Sequence, residues 1–193
     1  MEPTQFLEIL HLAEHLKNNT RHSWTSTGRH ESVAEHSWRL CLMALLVRDE
    51  FPEADMDRVL RMCVLHDMGE AFTGDIPAFQ KNASDEVHES AVLREWTDSL
   101  PAPYGAEFAA LYDEMEALQT TEAKIYKALD KLEAVIQHNE ADLSTWLPLE
   151  YDLQFIYGAE QVQFSEYFTR LKEAVDADTR AKIAAAGGVL EFK

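Results

Sequence analysis

A chain of 193 residues, 46% hydrophobic and 27% charged, with only 7 Gly and 6 Pro, is long enough for one domain with a sizeable core and favours helices over a turn-rich β protein. Lys+Arg 17 against Asp+Glu 35 leave a formal net charge of −18, which repels a polyphosphate backbone and an anionic membrane. A nucleic acid polymer and a membrane are therefore excluded as partners, whereas a small nucleotide in a locally positive or metal-bearing pocket is not.

The elements follow in chain order. Phe6, Ile9, Leu10, Ala13 and Leu16 form a stripe at i, i+3, i+4 and i+7, which predicts a first amphipathic helix ending near Asn18-Asn19. The N-terminal MEPTQFLEIL lacks the basic-then-apolar pattern of a leader. TRHSWTSTGRHE has no apolar period and reads as a loop carrying Arg21, Trp24 and Arg29, with His22 and His30 also within reach of a ligand. Ser32 and Glu35 fit a capping box, so a helix begins at Val33 and runs to about Glu50, with Glu35 serving the cap and Trp38 directed to the core. The apolar run inside it, Leu40 to Val47, is far short of the ~20 residues that span a bilayer.

Met56 to about Phe72 is apolar on nearly all sides until HDMGE interrupts it, the mark of a buried central helix. Gly74-Asp75-Ile76-Pro77 supplies a turn. Further helices are expected at about 84–99, 105–118, 121–140 and 158–186, with breaks at Pro101/Pro103 and over 142–151. Cys41 and Cys63 sit in apolar helical runs as reduced thiols of a cytoplasmic protein. His11, His15, His88 and His138 fall on polar helix positions and are expected to be solvated. No repeat or shift in composition marks a boundary, and the expected architecture is an all-α bundle.

Chemistry concentrates in LHDMGE. His66 and Glu70 are four residues apart and Asp67 and Glu70 three, so three ionisable groups converge within a turn and a half of an otherwise apolar helix. Buried unpaired, they would cost several kcal/mol. A divalent cation resolves this by converting desolvation into coordination. His36, at the mouth of the other long apolar helix, and Asp75, just past Gly74, complete a constellation that core packing does not explain.

ESVAEHSW followed some thirty residues later by LHDMGEAFTGDIP resembles the HD-domain hydrolases, and within them the small metal-dependent 5′-deoxynucleotidases and their HD-domain relatives. The likeness spans roughly residues 18–140, within a single HD domain of residues 1–193 whose segment 141–193 is a C-terminal helical extension. It implies an all-α HD-domain helical bundle holding one divalent metal ion, Mn, Co, Zn, Fe or Mg, through His36, His66, Asp67 and a distant Asp. ALDKLE resembles the family's final helix, so Asp130 takes that last position. Chemistry alone leaves Asp113, Glu116 and Glu122 equally eligible. The resemblance further implies Glu70 as the catalytic carboxylate and Asp75 as a group that holds the sugar or orients the nucleophile. It places Arg21 on the substrate phosphate and Trp24 beside the nucleoside, and it implies a homodimer. TSTG stands where relatives often carry a second Arg and an Asn-Val pair, which leaves substrate choice open. The function implied is release of phosphate from (deoxy)nucleoside 5′-monophosphates. The alternatives are hydrolysis of a triphosphate, cyclic or hyperphosphorylated nucleotide, or a non-catalytic helical module stabilised by its metal.

Overall fold

Ser32 starts the helix about which the rest is arranged. Its extended backbone precedes α3 (Val33–Val47), its hydroxyl accepts from the Glu35 amide, and the Glu35 carboxylate accepts from the Ser32 amide. Such a box is worth about 1 kcal/mol and sets where the first turn points. In the computed structural model, which describes residues 1–187, Val33, His36, Leu40, Ala44 and Val47 line the buried stripe of α3. The last six residues of the expected extension, 188–193, lie outside the described residues.

α3 packs against α4 (Met56–Leu65), and both pack against α8 (Thr121–Glu140). The core at their junction includes Leu40, Met62, Ile125, Leu129 and Leu132, all fully shielded from solvent. Burying each such side chain contributes roughly 1.5–3 kcal/mol. A hairpin of α6 (Ala83–Ser99) and α7 (Tyr104–Ala117) leans on one side of this trio, and α10 (Glu166–Ala185) covers α8 on the other. No helix among the described residues is long and apolar enough to cross a membrane.

Several expectations are corrected. The first helix is two, α1 (Pro3–Ala13) and α2 (His15–Asn18), and Phe6 and Leu10 stay about half exposed while Leu16 is buried. The Arg21 segment is an antiparallel ribbon, β1 (Thr20–Trp24) and β2 (His30–Ser32), with Thr20 opposite Ser32 and Trp24 opposite His30. It escapes an alternation test because its inward groups are polar: Gln137 and His138 of α8 donate to the carbonyls of Trp24 and His22. The central helix does not run through to Phe72. After Leu65 the bonds Met68 to Leu65 and Glu70 to Asp67 are of the i to i−3 kind, so the HDMG stretch is a tighter turn before α5 (Glu70–Thr73). Gly74 ends α5 at φ 76° and ψ 164°, a conformation open to glycine and strained for other residues. The expected helix over 158–186 begins only at Glu166, and α9 (Glu150–Ile156) starts at the end of the expected break and fills residues that no expected helix covered. Trp38 is 67% exposed, since the α3 stripe that faces the core passes through 36 and 40 and leaves 38 outside.

Candidate metal centre

Three elements bring the chemistry together: the first turn of α3, the HDMG turn after α4, and the middle of α8. His36 is fully buried. Its Nδ1 lies 2.5 Å from Glu133 Oε2, and its Nε2 faces His66 Nε2 at 3.2 Å. His66 Nδ1 lies 3.0 Å from the Cys63 carbonyl, an acceptor only, so Nδ1 donates there and Nε2 is turned toward the cluster. Asp67 Oδ2 stands 3.0 Å from His66 Nε2 and 3.9 Å from His36 Nε2. Asp130 Oδ1 stands 3.4 Å from His36 Nε2 and 3.9 Å from His66 Nε2. All four sequence-derived ligand candidates therefore converge on one point.

Whether a dication fits can be judged from the donors. Two imidazole nitrogens meet head to head with both opposite nitrogens engaged, and two carboxylate oxygens flank them. Only a cation between these atoms makes every contact favourable. In the metal-free protein a proton takes that role. Burial and Arg21 push the His36 pKa down, but Glu133 and Asp130 prevail and hold it at about 9. A His2Asp2 set suits Mn²⁺, Fe²⁺, Co²⁺ or Zn²⁺ and leaves positions open on an octahedral ion. The carboxylates are already ionised: burial opposes this, yet Lys127 and Lys131 hold Asp130 well below the usual range, and His66 and His36 do the same for Asp67.

Glu31, His36 and Glu133 also lie within ligating distance of one another. That second trio is filled by Arg21, whose Nη1 donates to Glu31 Oε2 at 3.0 Å and Glu133 Oε2 at 3.3 Å. It is an ion-pair network behind the ligands. Glu31 and Glu133 were not singled out by sequence. Glu133 was detectable in principle, lying three residues past Asp130 on the same face of α8, whereas nothing local reveals that Glu31 pairs with Arg21.

Glu70 is 8% exposed, and its Oε2 has no hydrogen-bond partner among the described residues. Burial, reinforced by Asp67 and Asp75, pushes its pKa up to about 10. Asp75 is also raised, by burial ahead of the opposing Arg21, and accepts the backbone N–H of His22. Arg21 and Asp75 border an open cleft whose far wall includes His22, Phe79, His138 and Tyr157. Trp24 does not line it; its ring stacks on His30 at 3.9 Å. His138 is not solvated as expected but mostly buried, with Nε2 donating to the His22 carbonyl. His15 stays exposed, as expected, while its Nδ1 donates to the Ala71 carbonyl. A second cavity beside His66 is lined by Lys81 and Lys127 together with Glu86, Glu89 and Glu116.

The HD domain family model matches residues 13–172. The bovine 5′-deoxynucleotidase HDDC2 is 31% identical over 185 residues, covering 93% of this chain and 88% of its own. Among solved structures, a predicted metal-dependent phosphohydrolase from Magnetospirillum magnetotacticum superposes with a TM-score of 0.76 at 24% identity, covering 93% of each chain. The cyanophage S-2L HD phosphohydrolase DatZ, bound to dA and one catalytic Zn²⁺ ion, superposes with a TM-score of 0.57 at 19% identity, covering 96% and 98%. Both likenesses concern the fold.

Proposed function

The chain belongs to the HD-domain family of hydrolases, and from that premise we propose that it is a metal-dependent 5′-nucleotidase that releases phosphate from 2′-deoxynucleoside 5′-monophosphates. The observation that carries this reading is the convergence of His36, His66, Asp67 and Asp130 near a buried acid, Glu70, with an open cleft bordered by the Arg21 guanidinium alongside. The bovine relative's activity supports the same substrate class.

His36, His66, Asp67 and Asp130 are the residues that would hold the ion. When bound, a divalent ion supplies positive charge to the phosphoryl oxygens and makes a water more acidic. The protein's own residues do the rest. Water oxygen joins phosphorus as the bond from phosphorus to the 5′-oxygen breaks, and the leaving oxygen must gain a proton. Glu70 Oε2, free of partners, is the atom that exchanges that proton. Arg21 already gives Nη1 to Glu31 and Glu133, so the remaining donors of its fork meet the phosphate. Asp75 faces the same cavity and accepts from the sugar hydroxyl. Trp24 reaches the nucleoside only from the ribbon's rim, where it rests on His30.

The same reading takes residues 1–193 as one domain, because α10 packs directly on the ligand-bearing α8. It places the protein in the cytoplasm, in keeping with the free thiols of Cys41 and Cys63. It makes the protein a homodimer: Trp38, Leu42 and Leu45 form an exposed apolar stripe along α3, 67%, 41% and 51% accessible, that a second copy would cover.

A screen of dAMP, dCMP, dGMP, dTMP, AMP and dATP with Mn²⁺ or Co²⁺ tests the activity. Orthophosphate is expected from the deoxynucleoside monophosphates. Pyrophosphate or tripolyphosphate release with inert monophosphates would overturn the reading. Glu70→Gln should keep the metal and lose about 10²-fold or more in kcat.

A further inference from the structure

Two cavities flank the metal cluster, and they differ in what they can hold. The one beside His66 carries Glu86, Glu89 and Glu116, and its two lysines, Lys81 and Lys127, are already paired with Glu89 and Asp130. The other runs from Arg21 and Asp75 to an aromatic end. At that end the Phe79 ring stands edge-on to His22, with centroids 5.4 Å apart and planes at 84°, and is 36% exposed. Tyr157 closes the opposite side. Its hydroxyl accepts from Lys131 Nζ at 2.9 Å, and the same ammonium lies 4.7 Å from its ring centroid, so the ring is tied to the residue next to Asp130.

The two histidines of the wall share one acidic neighbour. Glu150, 2% exposed at the start of α9, accepts the Leu147 amide through Oε2 at 2.6 Å. Its Oε1 lies 3.2 Å from His22 Nε2 and 3.8 Å from His138 Nε2. That carboxylate stands behind both imidazole rings of the cavity lining. Aromatic faces around an opening whose other end is a cation suit a flat heteroaromatic ring attached to a phosphate.

We infer that this cavity is the nucleobase subsite, walled by Phe79 and His22 from the N-terminal side and by Tyr157 and His138 from the C-terminal side. The inference rests on the proposed nucleotidase reading for the phosphate end and adds what that reading lacks: base recognition by a segment, 150–157, that lies outside the stretch carrying the HD motif. A nucleobase stacked on an aromatic ring is worth roughly 1–3 kcal/mol, or about 5- to 150-fold in affinity.

The test uses the Mn²⁺-loaded full chain and two substitutions on the exposed loop, Phe79→Ala, which removes the wall, and Ala78→Trp, which fills the opening. Binding of the four 2′-deoxynucleosides is measured by calorimetry. Phosphate release is compared for each deoxynucleoside monophosphate and for 2-deoxyribose 5-phosphate, which has no base. Nucleosides should bind about tenfold more weakly to Phe79→Ala and undetectably to Ala78→Trp. The ratio of kcat/KM for base-bearing over base-free substrate should fall about tenfold or more in both. Equal nucleoside binding by all three proteins, or none by the unaltered one, overturns the subsite, as does an unchanged ratio. Nucleoside binding that responds to both substitutions while no phosphate is released overturns the nucleotidase reading and leaves the subsite standing.

Discussion

His36 and His66 present the same atom to the same point, yet they are anchored by different means. His66 hangs from a backbone carbonyl of its own helix, that of Cys63, and its orientation follows wherever α4 goes. His36 is anchored across the bundle by the carboxylate of Glu133, ninety-seven residues away, which Arg21 and Arg39 approach in turn. The backbone anchor is indifferent to side-chain identity. The side-chain anchor adds charge, raises the basicity of its imidazole and can be removed by one substitution.

Removing either imidazole should have the largest effect and treat the two alike. His36→Ala or His66→Ala is expected to bring bound Mn²⁺, measured by elemental mass spectrometry, close to zero. The contrast then appears one shell out. Glu133→Gln should weaken metal affinity about 10- to 100-fold, whereas Cys63→Ala, which leaves the carbonyl in place, should change it less than about twofold. Equal losses would show that both rings depend on packing and that the Glu133 contact is incidental.

Titration sharpens the same difference. In the metal-free protein His36 has its pKa held at about 9, above the usual 6.5, so its ion pair contributes stability that is whole below pH 6.5 and lost as pH climbs through 9. The metal must displace that proton, so affinity should rise between pH 6.5 and 9, and Glu133→Gln should flatten the rise. The smallest effect belongs to the helix start. Glu35→Ala should cost about 1 kcal/mol, a drop of roughly 2–4 °C in Tm, with metal content retained.

What was legible from sequence divides along the same line. Local signals were accurate where the partner is near in the chain: the Ser32–Glu35 box and the 121–140 helix stand where the residues indicate. Misreadings arise where a partner lies far away. The hairpin has no apolar alternation because its inner surface is completed by Gln137, His138 and Glu133 of α8. His138 looked solvated on the helix wheel, but its outer side is covered by β1 and by Glu150. His36, His66, Asp67 and Asp130 do meet, though Asp130 came from resemblance; its spacing alone did not distinguish it from Asp113 or Glu122.

Gly74 ties the ligand-bearing turn to the loop that carries Asp75 and Phe79, and a methyl group placed there would meet nothing within 4 Å. The obstacle to any other residue is torsional, since φ is 76°. The glycine is thus required by one dihedral angle and not by crowding. Replacing this glycine strains the backbone between Glu70 and Asp75 without crowding the core, and the first contact put at risk is the one Asp75 accepts from the His22 amide.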